Sequence, residues 1–115
     1  MTCDAWDVVS VPFPFTDSPQ TKRRPALVLS SRPFNESGHV ILAMITSAMH
    51  PAWATDTPIR ELQTAGLHRP CCVRLKLFTL DTRLLVATLG RLAESERAGV
   101  ARALMDTLAL SAATR

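Results

Sequence analysis

Apolar residues along the chain recur in short β-branched runs or at every second position until the last quarter, where the spacing lengthens to that of a helix. The segment "WDVVSV", Trp6 to Val11, is β-branched and closed by Pro12, which predicts a strand with a forced exit. The next stretch, "PFPFTDSPQTK", carries three prolines and reads as a loop through Lys22. A proline disfavours helical backbone in the residue before it, so Arg24, ahead of Pro25, is expected at a loop-to-strand junction leading into "ALVLSS". "SRPFNESG" is rich in turn formers, and "HVILAMITS" is an apolar run suited to a central strand covered on both faces, with Thr46 and Ser47 as its polar end. Between Ala48 and Leu67 the pattern is weak: "TPIRELQ" suggests an edge strand and "TAG" a turn. "CCVRLKLF" alternates, which sets Val73, Leu75 and Leu77 on one face and Arg74, Lys76 and Phe78 on the other. "TLDTRLL" is expected to turn and "LVATLGRL" to form a further short strand. From Glu94 to Ser111 the period becomes 3.6, with Val100, Leu104 and Leu108 in one stripe, Ala101 and Met105 beside it, and Glu94 and Glu96 at the positive end of the helix dipole. Five to seven strands and one terminal helix predict a mainly β domain: a small, strongly bent antiparallel sheet closed by a helix.

A chain of 115 residues is one domain's worth, so residues 1–115 are read as a single unit. With 47% hydrophobic and 20% charged residues, neither disorder nor a fibrous repeat fits. The purest apolar run, Val40 to Ile45, is far short of the ~20 residues of a membrane helix, and Asp4 and Asp7 stand where a secretory signal carries basic residues. A cytoplasmic protein without a membrane partner is expected. Three cysteines, two of them adjacent, make no disulfide framework and are read as reduced thiols. The net charge of +3 is mild, but its distribution is not: Lys22, Arg23, Arg24 and Arg32 form one acid-free block, and Arg69, Arg74, Lys76, Arg83 and Arg91 face Asp81 alone in another. Two such blocks meeting on one face would attract a polyanion, although solvated charges are common on any surface.

Several chemistries lack their residues. The histidines His39, His50 and His68 and the cysteines show no metal-ligand spacing, and the four glycines form neither a phosphate-cradling nor a dinucleotide motif, so no metal and no cofactor are expected. No G-x-S-x-G elbow supports a serine hydrolase. His50 and His68 are read as surface or structural residues rather than general bases. What remains is Arg24 at a strand start, the Thr46–Ser47 pair at a strand end and a strand with alternating cations. Guanidinium and hydroxyl groups of this kind can hold a phosphate and stabilise the negative charge of its transition state. Each also has an ordinary reading, local hydrogen bonding for Thr46 and Ser47 and surface ion pairing for Arg24.

The ordered set of segments is more specific than any one of them. Asp7 to Val11, "PFPFTD" at Pro12 to Asp17, the strand Lys22 to Ser30, "ITS" at Ile45 to Ser47, "TLD" at Thr79 to Asp81 and "LGRL" at Leu89 to Leu92 together resemble the MazF/PemK family of toxin–antitoxin growth inhibitors, over almost the whole chain. The resemblance implies an SH3-like barrel with an added C-terminal helix, the CcdB/MazF-like fold, assembled as a homodimer. It implies a sequence-specific, metal-independent endoribonuclease that cuts single-stranded RNA by attack of the 2′-hydroxyl on the neighbouring phosphate, leaving 2′,3′-cyclic phosphate and 5′-hydroxyl ends. By the same resemblance Arg24 and Thr46 are the catalytic pair, and a cognate antitoxin with an acidic tail is the partner. Lys22, Arg23, Ser47, Arg74 and Lys76 are expected to contact RNA, and Phe15 and Asp17 in the first loop to contact bases, Phe15 by stacking, with a loop anchor buried against the body as its ordinary reading.

The chain also departs from the pattern. Some relatives carry a His in the first loop and an Arg-x-Asp pair on the later strand; here the loop has no His and "CVRLKLF" places no acid two residues after Arg74. Cys71 and Cys72 fall where relatives carry small hydroxyl residues and are read as packing substitutions. Two other activities are compatible with the fold: a CcdB-like gyrase poison, and an inactive member that binds RNA or a partner without turnover. The gyrase poisons carry a Trp near the C-terminus, whereas here the tryptophans are Trp6 and Trp53.

Overall fold

The computed structural model describes residues 2–13 and 22–110. Strands β1 (Asp7–Phe13), β2 (Lys22–Val28), β3 (His39–Ser47), β4 (Thr57–Ile59), β5 (Cys71–Asp81) and β6 (Ala87–Arg91) alternate with helices α1 (Arg32–Glu36), α2 (Leu62–Ala65) and α3 (Glu94–Thr107). All six strands join one sheet in the order β4-β5-β3-β2-β1-β6, with every neighbour antiparallel. The sheet curls into a half-barrel. Its two edge strands are brought together by α2, which follows β4 and ends against β6. There the backbone approaches so closely that a Cβ on Gly66 would lie 2.0 Å from the Leu89 carbonyl oxygen. Gly66 caps α2 in the left-handed region, at φ 73°, which explains the "TAG" turn.

The central strands are buried on both faces because each face packs a different cluster. On one face lie Val8, Leu27, Ala43, Ile45, Val73, Leu92 and, from α3, Val100, with Leu104 against them. On the other face lie Val9, Val11, Ala26, Val28, Val40, Leu42 and Leu80, covered by Cys3 and Leu85. Two covered faces are why "HVILAMITS" reads as an unbroken apolar run instead of an alternating one. A polar knot secures the second cluster: the Asn35 amide donates to the carbonyls of Cys3 and Ser30, and the Ser30 hydroxyl accepts from the Ile41 amide.

Several local expectations change. Lys22, Arg23 and Arg24 lie on β2, paired with Phe13, Pro12 and Val11, not in a loop. Pro12 sits within β1, since β6 pairs only as far as Ser10 and leaves an edge where the missing N–H is tolerated. "SRPFNESG" forms α1, with Pro33 in its first turn, where no N–H is needed. "TPIRELQ" divides into β4 and the start of α2, and "TLD" completes β5. The C-terminal helix stops at Thr107; Leu108 lies beyond it and is 36% exposed. On β5 the expected faces hold for Val73 and Leu77, but the opposite face is not all cationic, since Phe78 packs against the second cluster. A bulge opposite Ala43 and Met44 adds Leu75 and Lys76 to β5; two extra residues leave the alternation intact. Among the described residues, no helix is long and apolar enough to cross a membrane.

Candidate active site

Alternation along four strands defines where the site forms. Phe13 continues the face of Val9 and Val11, Arg24 that of Ala26 and Val28, and Thr46 that of Leu42 and Met44, while Cys72 and Arg74 pair with Thr46 and Met44 from β5. The face that is core in the middle of the sheet therefore becomes polar at one end. There β2 remains paired with β1 out to Phe13 and Lys22, but its pairing with β3 ends at Ala26 and Met44. Carried two residues further in the same register, the pairing would set Arg24 opposite Thr46, and both residues line the opening left where the ladder stops. The two strand ends border a cleft of about 550 Å³ lined by Arg24, Thr46, Ser47, His50, Trp53, His68, Arg69, Arg74 and Lys76 over a floor that includes Met44 and Cys71. Four cations and no carboxylate line it among the described residues, and they come from both basic blocks.

Thr46 is only partly exposed, and its Oγ1 lies 2.7 Å from Nδ1 of His50. The contact is local in origin. After β3 the chain turns: the His50 amide donates to the Ser47 carbonyl at 3.2 Å, the Met49 amide donates to Ser47 Oγ at 3.1 Å, and the Ala48 amide donates to the Pro70 carbonyl at 3.1 Å. Ser47 thus uses its hydroxyl oxygen to hold the turn that folds His50 back over Thr46.

Arg74 is less available than its sequence position suggests. Its guanidinium grips Asp56 through two bonds, Nε to Oδ1 at 3.1 Å and Nη2 to Oδ2 at 2.8 Å, and donates to the Pro51 carbonyl at 2.7 Å. It also lies 4.9 Å from the centre of the Trp53 ring, and the side chains of the ion pair are only 11% and 10% exposed. The acid missing two residues after Arg74 is thus supplied from the segment before β4. Hydrogen bonds from Arg74 hold the Asp56 carboxyl below the usual aspartate range, against the opposing effect of burial. Burial, and next the Asp56 charge, push the Cys72 thiol up to about 11.

The sequence-predicted site residues are distributed unevenly. Arg24, Thr46, Ser47, Arg74 and Lys76 share the cleft, with Lys76 Nζ 5.9 Å from the Phe13 ring. Lys22 and Arg23 are exposed on β2 outside the lining. Phe15 and Asp17 lie outside the described residues. His50, Trp53 and Asp56 also meet at this site, and no spacing rule finds them, because a turn and a cross-sheet ion pair bring them in. Two basic residues of the second block that lie outside the cleft have ordinary partners: Arg83 binds Asp81, and Arg91 binds the buried Asp7 at 2.6 Å. Asp7, the first residue of the resemblance, is therefore a structural anchor, and it also accepts from the Asp4 amide.

Comparison with solved structures returns the same architecture. The Mycobacterium tuberculosis toxin MazF-mt6 aligns with a TM-score of 0.74 at 22% identity, over 91% of this chain and 98% of that one. A MazE–MazF structure from Deinococcus radiodurans aligns with a TM-score of 0.77 at 23% identity, over 96% and 100%. An endoribonuclease in complex with its cognate antitoxin, from a mycobacterial species, aligns with a TM-score of 0.74 at 16% identity, over 96% and 99%. At these identities the likeness establishes the fold, and no curated protein matches in sequence. The family assignment rests on the sequence itself, since residues 4–108 match the family described as PemK-like, MazF-like toxin of type II toxin–antitoxin system. With nearly the entire chain covered by that match, this protein belongs to the PemK/MazF-like toxins of type II toxin–antitoxin systems.

Proposed function

We propose that this toxin is a metal-independent endoribonuclease that cuts single-stranded RNA at short sequences, with Arg24 and Thr46 at the scissile phosphate. The carrying observation is that these two side chains lie on the same face of adjacent strands, in a cleft lined by four cations. The ribose 2′-hydroxyl is already tethered beside the phosphate, so the reaction needs alignment and charge stabilisation more than a new nucleophile. Arg24 neutralises the phosphate and the extra negative charge of the pentacoordinate transition state, and Thr46 donates a hydrogen bond from its hydroxyl to a non-bridging oxygen. The products are a 2′,3′-cyclic phosphate and a free 5′-hydroxyl. Lys22, Arg23, Arg69 and Lys76 hold the flanking phosphates, and Trp53, 45% exposed and backed by Arg74, offers a stacking face for a base.

A cytoplasmic homodimer regulated by an antitoxin fits the family and its neighbours, several of which are described as antitoxin complexes. An acidic antitoxin tail would occupy the cationic cleft and exclude RNA by mass action. Purified protein should cut a long RNA in the presence of EDTA, and end sequencing should read 5′-hydroxyl termini at a recurring motif. Arg24→Ala should lower the rate at least about 100-fold, as loss of a preorganised electrostatic contact does, with an unchanged thermal melt. Intact RNA with the wild-type chain would instead support gyrase binding or an inactive RNA-binding role.

A further inference from the structure

The reaction above leaves one proton without an acceptor. The 2′-hydroxyl must lose its proton as it attacks, and Arg24 cannot take it, because a guanidinium is fully protonated at neutral pH and has no lone pair to offer. Arg69, Arg74 and Lys76 share that defect, and burial raises the Cys71 thiol. The lining also holds two imidazoles, side chains that can donate from one ring nitrogen and accept at the other, and one of them, His50, touches Thr46 at 2.7 Å.

The geometry of that contact constrains where its protons are. A threonine hydroxyl has one hydrogen and two lone pairs. If Thr46 donates its hydrogen to a phosphate oxygen, it must accept at the same time from its other neighbour, so His50 presents N–H at Nδ1. In the neutral ring this leaves Nε2 as an acceptor, carried on a turn fixed by two backbone hydrogen bonds, to the Ser47 and Pro70 carbonyls, and one from the Met49 amide to Ser47 Oγ. We propose that His50 is the general base of the cleavage reaction and orients Thr46 through its other nitrogen. This inference rests on the nuclease reading above.

As the step proceeds, the O2′–H bond breaks and its proton passes to Nε2. The electron pair left on O2′ forms the new bond to phosphorus, the P–O5′ bond breaks, and its electron pair stays on O5′, which takes a proton from water. The imidazolium then returns its proton to solvent, so no proton is gained or lost overall. His68 lines the same cleft, but no contact ties it to Thr46, and it is assigned no step.

The test compares single-turnover cleavage in EDTA by the wild type and by His50→Ala, His50→Asn and His68→Ala, using a single-stranded RNA that contains the mapped cleavage site. Binding is measured with the same RNA carrying 2′-deoxyribose at that site. His50 is exposed on a turn, so the variants should melt with the wild type. His50→Ala should cut about 100-fold or more slowly with binding unchanged within about twofold, and added imidazole should restore part of the rate. His50→Asn, whose side-chain amide can still donate to Thr46 but cannot accept the proton, should remain close to His50→Ala. A wild-type rate in His50→Ala, full recovery in His50→Asn, or a loss confined to His68→Ala would overturn the assignment while leaving the nuclease reading in place. Failure of the wild-type chain to cut would instead overturn both.

Discussion

Thr46 shows how much a single hydroxyl depends on its neighbours. It stands at the end of an apolar strand, and its contact with His50 is set by a turn that Ser47 holds with its own side chain. In the proposed reaction, removing the hydroxyl deletes one hydrogen bond to an anion, worth about 1.5–3 kcal/mol. Thr46→Ala should therefore slow single-turnover cleavage by about 10- to 100-fold, less than Arg24→Ala, and Thr46→Ser should recover most of the loss. A Ser variant as slow as the Ala variant would show that the methyl group, not the hydroxyl, matters. Asp56 supplies a second residue-scale test. Its carboxyl is held below the ordinary aspartate value by Arg74, so this ion pair contributes to stability above the unfolded value, about 3.9, and the contribution is lost as pH falls through the depressed folded value. Thermal melts of the wild type should drop more steeply below about pH 4 than those of Asp56→Asn, which lacks the titrating group.

At the scale of elements, the join between α2 and β6 closes the half-barrel, and it depends on two glycines. Gly66 has φ 73° and would place a Cβ 2.0 Å from the Leu89 carbonyl oxygen, while a Cβ on Gly90 would lie 2.5 Å from the backbone of Ala65. Gly66→Ala combines an unfavourable left-handed conformation with a clash against backbone that cannot swing away, and should cost about 2 kcal/mol or more, read as a lowered midpoint in urea. Gly38, at φ 110° with open space around its Cβ, isolates the conformational part, so Gly38→Ala should cost less. An equal or smaller effect at Gly66 would show that the helix and strand can separate. The bulge on β5 acts at the same scale: the strand gains two residues, and Lys76 stays on the cleft side.

Over the whole molecule, the two basic blocks are far apart in sequence but contribute to one cleft because β2 and β5 flank β3. Arg24 comes from the first block, and Arg69, Arg74 and Lys76 come from the second, while Arg83 and Arg91 are spent on ion pairs elsewhere. If three or four cations neutralise phosphates of single-stranded RNA, log K should fall with log salt at a slope of about −2 to −3. Titration of the 2′-deoxy-substituted RNA at several salt concentrations measures that slope, and a value near zero would rule out the cleft as a backbone track.

The sequence by itself determined the strand runs, the C-terminal helix, the mainly β class and the family, because these follow from apolar periodicity and from short motifs whose order survives along the chain. Arg24 and Thr46 stood out as candidates for the same reason, each sitting within a motif, and both line one cleft. What only the tertiary structure decided is how the side chains meet. The boundaries of β2, α1 and α2 depend on pairing and packing that local propensity does not encode. Asp56 reaches Arg74 across 18 positions, and Trp53 stacks on the same guanidinium, through the approach of β4 to β5. The contact of His50 with Thr46 carries no sequence signal because a turn folds the ring onto the hydroxyl, through backbone geometry and not residue spacing.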